Sequence, residues 1–249
     1  KKTTMVSPAV ALLFALVFCC SSVRCVAPDV QSVVVGFDPN FADTTPWDGE
    51  TPDNSGEASL VARFVESLDG ESVIKIEDYT NKTAWRSRLW NGKLVIFIEN
   101  ERNGDAQIKA ALSEDTRTAI KDWVRNNGGA VVFCAGESEP ARVLTGLDIV
   151  GLSGGDPPPP PSEGPSKRGT GPSYDPVSRS SDGDASSLFG TESESPGSVY
   201  TVDACHPWDL SNELPARNAS LKCMYGTTDN CYLWRYADGQ GAWYGVCPD

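Results

Sequence analysis

Leu94-Val95-Ile96-Phe97-Ile98 and Ala130-Val131-Val132-Phe133-Cys134 are the two runs whose reading decides the fold. Both are short, rich in β-branched and aromatic residues, and apolar without alternation, as strands buried on both faces are. A segment with helical spacing lies between them. Ser113 is placed to cap a helix, with Glu114 and Asp115 in its first turn, where the helix dipole favours negative charge. Ala119, Ile120, Trp123 and Val124 follow as one apolar stripe. Lys121 and Arg125 come late, and Gly128 suits a left-handed cap. Strand, helix, strand is a βαβ unit, which implies a parallel sheet covered by helices.

The same grammar extends in both directions. Ser32-Val33-Val34-Val35-Gly36 reads as a first strand, and Val73-Ile74-Lys75-Ile76 as a second. Between them a helix capped by Ser55 runs through Leu68, with Val61, Phe64, Val65 and Leu68 on one face. Ala84 to Trp90 forms a short helix with Trp85 and Leu89 inward, stopped by Asn91-Gly92. After Cys134, Ser138 and Pro140 start a helix carrying Ala141, Val143, Leu144 and Leu147. This alternation predicts an α/β fold: a doubly wound, mostly parallel sheet with helices on both faces. Leu221 to Tyr225, Cys231 to Tyr236 and Ala242 to Val246 read as an antiparallel meander that closes the sheet.

Composition divides the chain. Residues 153–198 are dominated by Gly, Pro, Ser and Asp, with an unbroken run Pro157, Pro158, Pro159, Pro160 and Pro161. Such a segment buries too little apolar surface to offset its ordering entropy, so a disordered insertion with a stiff polyproline rod is expected. Residues 28–152 and 199–249 then make a single domain. The alternative, a separate disulfide-bonded module at the C-terminus, has only ~50 residues for a core.

The N-terminus has the features of a secretory signal over residues 1–22. Lys1 and Lys2 precede the apolar run Val10 to Phe18, and small residues follow at Ser21 and Ser22. Cleavage fits after Ser22 or after Cys25. The run is too short to span a bilayer, so no membrane span is expected once it is removed. Export favours disulfides. Of 8 cysteines, Cys19 and Cys20 leave with the signal. Cys223 and Cys231 bracket a turn and form the first expected pair; Cys205 pairs with Cys247 or with Cys134. Asn81-Lys82-Thr83 and Asn218-Ala219-Ser220 are N-glycosylation sequons. The proline run resembles the hydroxyproline-rich, O-glycosylated stretches of plant and algal wall proteins, which makes Pro157 to Pro161 candidates for O-glycosylation.

A net charge of −13 argues against nucleic acid as a partner. Asp38, Asp43, Asp48, Glu50 and Asp53 follow the first strand without the spacing of a Ca²⁺ loop, and read as a solvated acidic loop. No Gly-rich phosphate loop follows that strand, and no His/Cys cluster has zinc spacing, so neither cofactor nor metal is expected. The tryptophans read mostly as core, with Trp47 and Trp208 in loops where they can stack on sugars or pack beneath the loop.

The order of elements resembles the class I glutamine amidotransferase-like superfamily, a flavodoxin-like group, and its trehalose-utilisation-like and intraflagellar-transport-like branches in particular. The resemblance is carried by Leu94 to Ile98, Trp123-Val124-Arg125-Asn126-Asn127-Gly128-Gly129, Val131 to Gly136, Leu214-Pro215, Tyr225-Gly226 and Gly239-Gln240-Gly241-Ala242-Trp243-Tyr244-Gly245. It covers Ser32 to Gly151 and Val199 to Asp249. Enzymes of that superfamily place a nucleophilic Cys in Gly-x-Cys-x-Gly on a tight strand-to-helix turn, which implies Cys134 here. Val132 replaces the first Gly, and the sole histidine, His206, is followed by Pro207 and Trp208 instead of the acid the family uses. A related branch needs only a Cys and a carboxylate from the end of the first strand, which implies Cys134 with Asp38.

Two functions follow as expectations. The first is a secreted, catalytically inactive glycoprotein module for extracellular adhesion, binding or assembly, with partners among copies of itself, other extracellular proteins and glycans. The second is a Cys-dependent amidohydrolase or carbohydrate-active enzyme using Cys134.

Overall fold

A computed structural model describes residues 32–46, 56–67, 72–98, 105–134, 139–151, 174–179, 198–202, 207–213 and 220–246. The elements in chain order are β1 (Ser32–Gly36), α1 (Glu57–Glu66), β2 (Ser72–Ile76), α2 (Lys82–Asn91), β3 (Gly92–Phe97), α3 (Asp105–Ala111), α4 (Glu114–Asn127), β4 (Ala130–Cys134) and α5 (Glu139–Thr145). They continue with β5 (Val150–Gly151), β6 (Tyr174–Ser178), β7 (Ser198–Val202), β8 (Trp208–Asp209), β9 (Leu221–Thr227), β10 (Asn230–Asp238) and β11 (Gly241–Val246). The signal segment, Trp47, Pro157 to Pro161, Cys205, His206, Asn218 and Cys247 lie outside the described residues.

The fold is mixed α/β, with mostly parallel strands at its centre. Strands run in the order β2-β1-β3-β4-β11, all parallel neighbours. The two runs that opened the reading are adjacent, with Val95 opposite Val131 and Phe97 opposite Phe133. β11 then turns back into β10 as an antiparallel hairpin. Leu233 is paired with Val246 on one side and Tyr225 on the other, so β11 and β9 flank β10. β8 continues the β11 side, where Trp208 pairs with Cys231. These C-terminal strands extend the sheet without closing it. It remains open, with β2 at one edge.

Alternation sorts the strands' side chains onto two faces. Val34, Val95, Phe97, Val131, Phe133, Trp234 and Trp243 share one core cluster with Trp85 of α2, Ile108 of α3, Ile120 and Trp123 of α4, and Leu144 of α5. Val33, Val35, Leu94, Ile96, Ala130, Val132, Cys134, Leu233, Tyr244 and Val246 share the other with Ala58 and Val65 of α1. Helix α1 thus packs with the second set of strand side chains, and α2 to α5 pack with the first.

Helix α4 carries out its sequence signals. Ser113 Oγ accepts from the Thr116 amide at 3.3 Å, and Gly128 at φ 72° closes the helix in the left-handed region. Its C-terminal end meets the β10–β11 turn at backbone contact. The Gln240 amide donates to the Arg125 carbonyl at 2.8 Å. A Cβ at Gly239 or Gly241 would run into the carbonyls of Arg125 or of Gly129 and Val124. Arg125 Nε donates to Asp238 Oδ1 at 2.9 Å across the same junction.

Four local expectations change. Helix α1 begins after Gly56, not Ser55: no side chain caps it, and the Gly56 and Ala58 amides donate to carbonyls of Thr45 and Asp43. Only a glycine fits there, because a Cβ would strike Asp43. Gly92 does not cap α2 in the left-handed region but is extended and opens β3 directly. The span between β3 and β4 holds two helices, α3 and α4. Finally, the stretch 153–198 is not wholly without structure. Tyr174–Ser178 pairs antiparallel with β7, and Val177 packs on the second core cluster.

Candidate functional site

In an α/β sheet the chemistry concentrates at the carboxyl ends of the strands, and both candidates lie there. Cys134 is the last residue of β4, 6% exposed and opposite Val246 of β11. Asp38 follows β1 by two residues and is 2% exposed.

Their surroundings differ. Asp38 begins a tight turn. Its Oδ1 accepts from the Asn40 amide and the Asn40 side chain, both at 2.9 Å, and its Oδ2 accepts from the Tyr79 amide at 2.8 Å. Its carbonyl accepts from the amides of Phe41 and Ala42. The carboxylate thus ties the end of β1 to the residues after β2, which is the work of an Asx turn. Both oxygens serve the local backbone and Asn40.

Tyr79, held this way, stacks on Phe41 with centroids 5.2 Å apart and lies in the first core cluster. Burial, and then the Asp38 charge, push its phenol well above the ordinary value. Cys134 instead belongs to the second cluster, in register with Val132 and Ala130. The strand order also inserts β3 between β1 and β4. Two strand spacings amount to about 10 Å. The Asp38 carboxylate is bonded to Asn40 and the Tyr79 amide, and Cys134 packs in the second cluster.

Val132, where the family pattern has its first Gly, is a fully buried residue inside β4. Residues 135–138, which follow Cys134, and His206 fall outside the described residues. No group of three or more His, Cys, Asp or Glu able to hold a metal occurs among the described residues.

The expected Cys223–Cys231 disulfide is present, joining β9 and β10 with Cα atoms 5.8 Å apart. Asn81 is exposed and caps α2: its Oδ1 accepts from the Ala84 amide at 3.0 Å. Capping through the oxygen leaves the amide nitrogen, the atom a glycan would modify, directed away from that bond. Trp208 is fully buried in β8, edge-on to Trp234, so of its two readings packing is the one realised.

Sequence reasoning missed two features. Trp90 is 85% exposed, whereas aromatic composition alone assigns it to the core. The signal was available, because Trp85 and Leu89 already define the inward face of α2 and Trp90 lies off it. The other is a cleft of about 540 Å³ between α3 and α5, lined by Ala106, Lys109, Arg142, Val143, Leu147 and Asp148 among others.

No protein-family model matches this chain, and no curated protein matches it in sequence. Solved structures do resemble it. The cytoplasmic protein STM3548 from Salmonella typhimurium is 12% identical with a TM-score of 0.47, over 88% of each chain. The exo-β-1,4-mannosidase Op5Man5 from an Opitutaceae bacterium is 10% identical at a TM-score of 0.40, and Gan42B, a GH42 β-galactosidase, 15% identical at 0.42. This chain spans 31% of the mannosidase and 28% of the galactosidase. Likeness at this level carries nothing over about chemistry.

Proposed function

We propose that this chain is an exported, non-catalytic glycoprotein module that binds or assembles outside the cell, built on a doubly wound sheet of the glutamine amidotransferase-like type. The observation that carries the reading is the bonding of Asp38. A carboxylate that takes a proton from a thiol must be held within hydrogen-bond reach of it. Here Oδ1 accepts twice from Asn40 and Oδ2 accepts from the Tyr79 amide, which ties the carboxylate to its own turn, while Cys134 packs in the second core cluster on β4, with β3 between β4 and β1. The exposed Asn81 sequon and the Cys223–Cys231 disulfide are consistent with an extracellular setting.

Incubation of the full chain with amide and glycoside substrates, beside its Cys134→Ala variant, tests this directly. The reading expects no turnover that depends on Cys134. Turnover abolished by Cys134→Ala would overturn it.

A further inference from the structure

Helix α2 runs against the charge of the chain. Its ten residues hold Lys82, Arg86 and Arg88 and no acid, in a protein of net charge −13. Trp85 and Leu89 fix it in the core. Arg86 and Trp90, four residues apart, are neighbours on the helix surface, with Thr83 and Ser87 alongside, and all four are exposed. Arg88, two residues from each, projects from a different side of the helix. Lys82 is held by Asp115 at 3.5 Å. Neither Arg86 nor Arg88 makes an ion pair with any described residue.

The shape of this patch narrows what it can hold. Among the described residues Trp90 and Val150 are the exposed large hydrophobics, and Trp90 alone is nearly bare, at 85%. A protein interface gathers several apolar anchors into a buried centre, and a lipid surface needs a whole apolar helix face. One flat indole offers neither. It does match the apolar C–H face of a single pyranose ring, which carries its polar groups around the edge. A guanidinium one turn away presents a planar fork for a carboxylate or sulfate on that sugar or the next. Thr83 and Ser87 add hydroxyls that suit sugar hydroxyls.

We propose that the outward face of α2 docks an anionic polysaccharide, with Trp90 beneath one sugar ring and Arg86 on its carboxylate or sulfate. The proposal rests on the reading of the chain as an extracellular binding module and names the class of its partner.

The test is retention and titration of the full chain on polygalacturonate, dextran sulfate and neutral dextran, with poly-glutamate as a charged polymer lacking sugars. Binding to polygalacturonate or dextran sulfate, but not to neutral dextran, is expected. Trp90→Ala and Arg86→Ala should each weaken it about tenfold, whereas Arg88→Ala, with the same loss of charge, stays within about twofold. Unchanged circular dichroism establishes that the variants are folded. Absence of binding to both anionic polysaccharides, equal losses in the three variants, or equally tight binding to poly-glutamate would each overturn the proposal. Failure here leaves the non-catalytic reading standing, because that reading falls only to Cys134-dependent turnover.

Discussion

The two faces of the sheet are built from different materials. On the first, aromatic rings form an unbroken chain across the strands: Phe41 to Tyr79, Trp85, Phe97, Phe133, then Trp243 and Trp234, and on to Trp208, each step between 5.2 and 6.1 Å. On the second, Val33, Val35, Leu94, Ile96, Val132 and Val246 make a largely aliphatic layer that includes Cys134. Large rings that meet at stacking distance bind four helices to the sheet and fix the register of distant strands. Small branched side chains leave the opposite face easier to repack. The candidate thiol lies on the adaptable face, and the candidate carboxylate is bonded to the turn after β1 and to the Tyr79 amide. β3, lying between β1 and β4, separates the ends of the two strands.

The contrast can be broken by substitution at neighbouring positions of β4. Phe133→Ala removes the ring that touches Phe97, Trp234 and Trp243, and should cost about 4 kcal/mol. Val132→Ala, one residue away on the other face, should cost about 2 kcal/mol. Equal losses in denaturant unfolding would erase the distinction between the faces. Replacing both Cys223 and Cys231 by Ala should cost about 2–3 kcal/mol, given the short loop they close. A negligible loss would mean that the sheet's C-terminal extension holds without its bridge.

Tyr79 sharpens the comparison through pH. Its folded pKa is raised above the ordinary 10.0, so the folded protein keeps a proton that the unfolded chain releases. That contribution is fully present below pH 10 and is lost as pH rises above it, by about 1.4 kcal/mol per pH unit. Tyr79→Phe should flatten the decline of stability above pH 10. An unchanged slope would show that the phenol is not sealed in the aromatic face. The smallest effect belongs to Asn81→Asp, which keeps the capping oxygen but removes the glycan acceptor. It should shift stability by less than about 0.5 kcal/mol while removing a glycan from the intact mass of the exported protein. A larger loss of stability would mean that the amide does more for α2 than cap it.

The elements legible in the sequence were those whose signals are local. Strands β1, β3 and β4, the α4 helix with its Ser113 and Gly128 caps, and the C-terminal meander all follow from periodicity and turn residues. The start of α1 was not legible, because its amides are satisfied by carbonyls of Asp43 and Thr45 across a loop. The β6–β7 pairing was hidden for a similar reason: each strand's partner is distant from it in sequence. The candidate site was legible as two residues at strand ends. Sequence gives a residue's place along a strand, but the hydrogen bonds that commit Asp38 to Asn40 and Tyr79 depend on how two turns meet.

The most direct test is the rate at which a thiol-specific alkylating reagent labels Cys134 in the native, unreduced chain, compared with the same chain carrying Asp38→Asn. With the thiol buried in the second cluster and the carboxylate bonded to Asn40 and the Tyr79 amide, labelling should occur only as fast as the protein opens. Any rise in Asp38→Asn should track its loss of stability. Rapid labelling of the native protein that slows in Asp38→Asn would show the two groups acting as a pair, and would contradict the account.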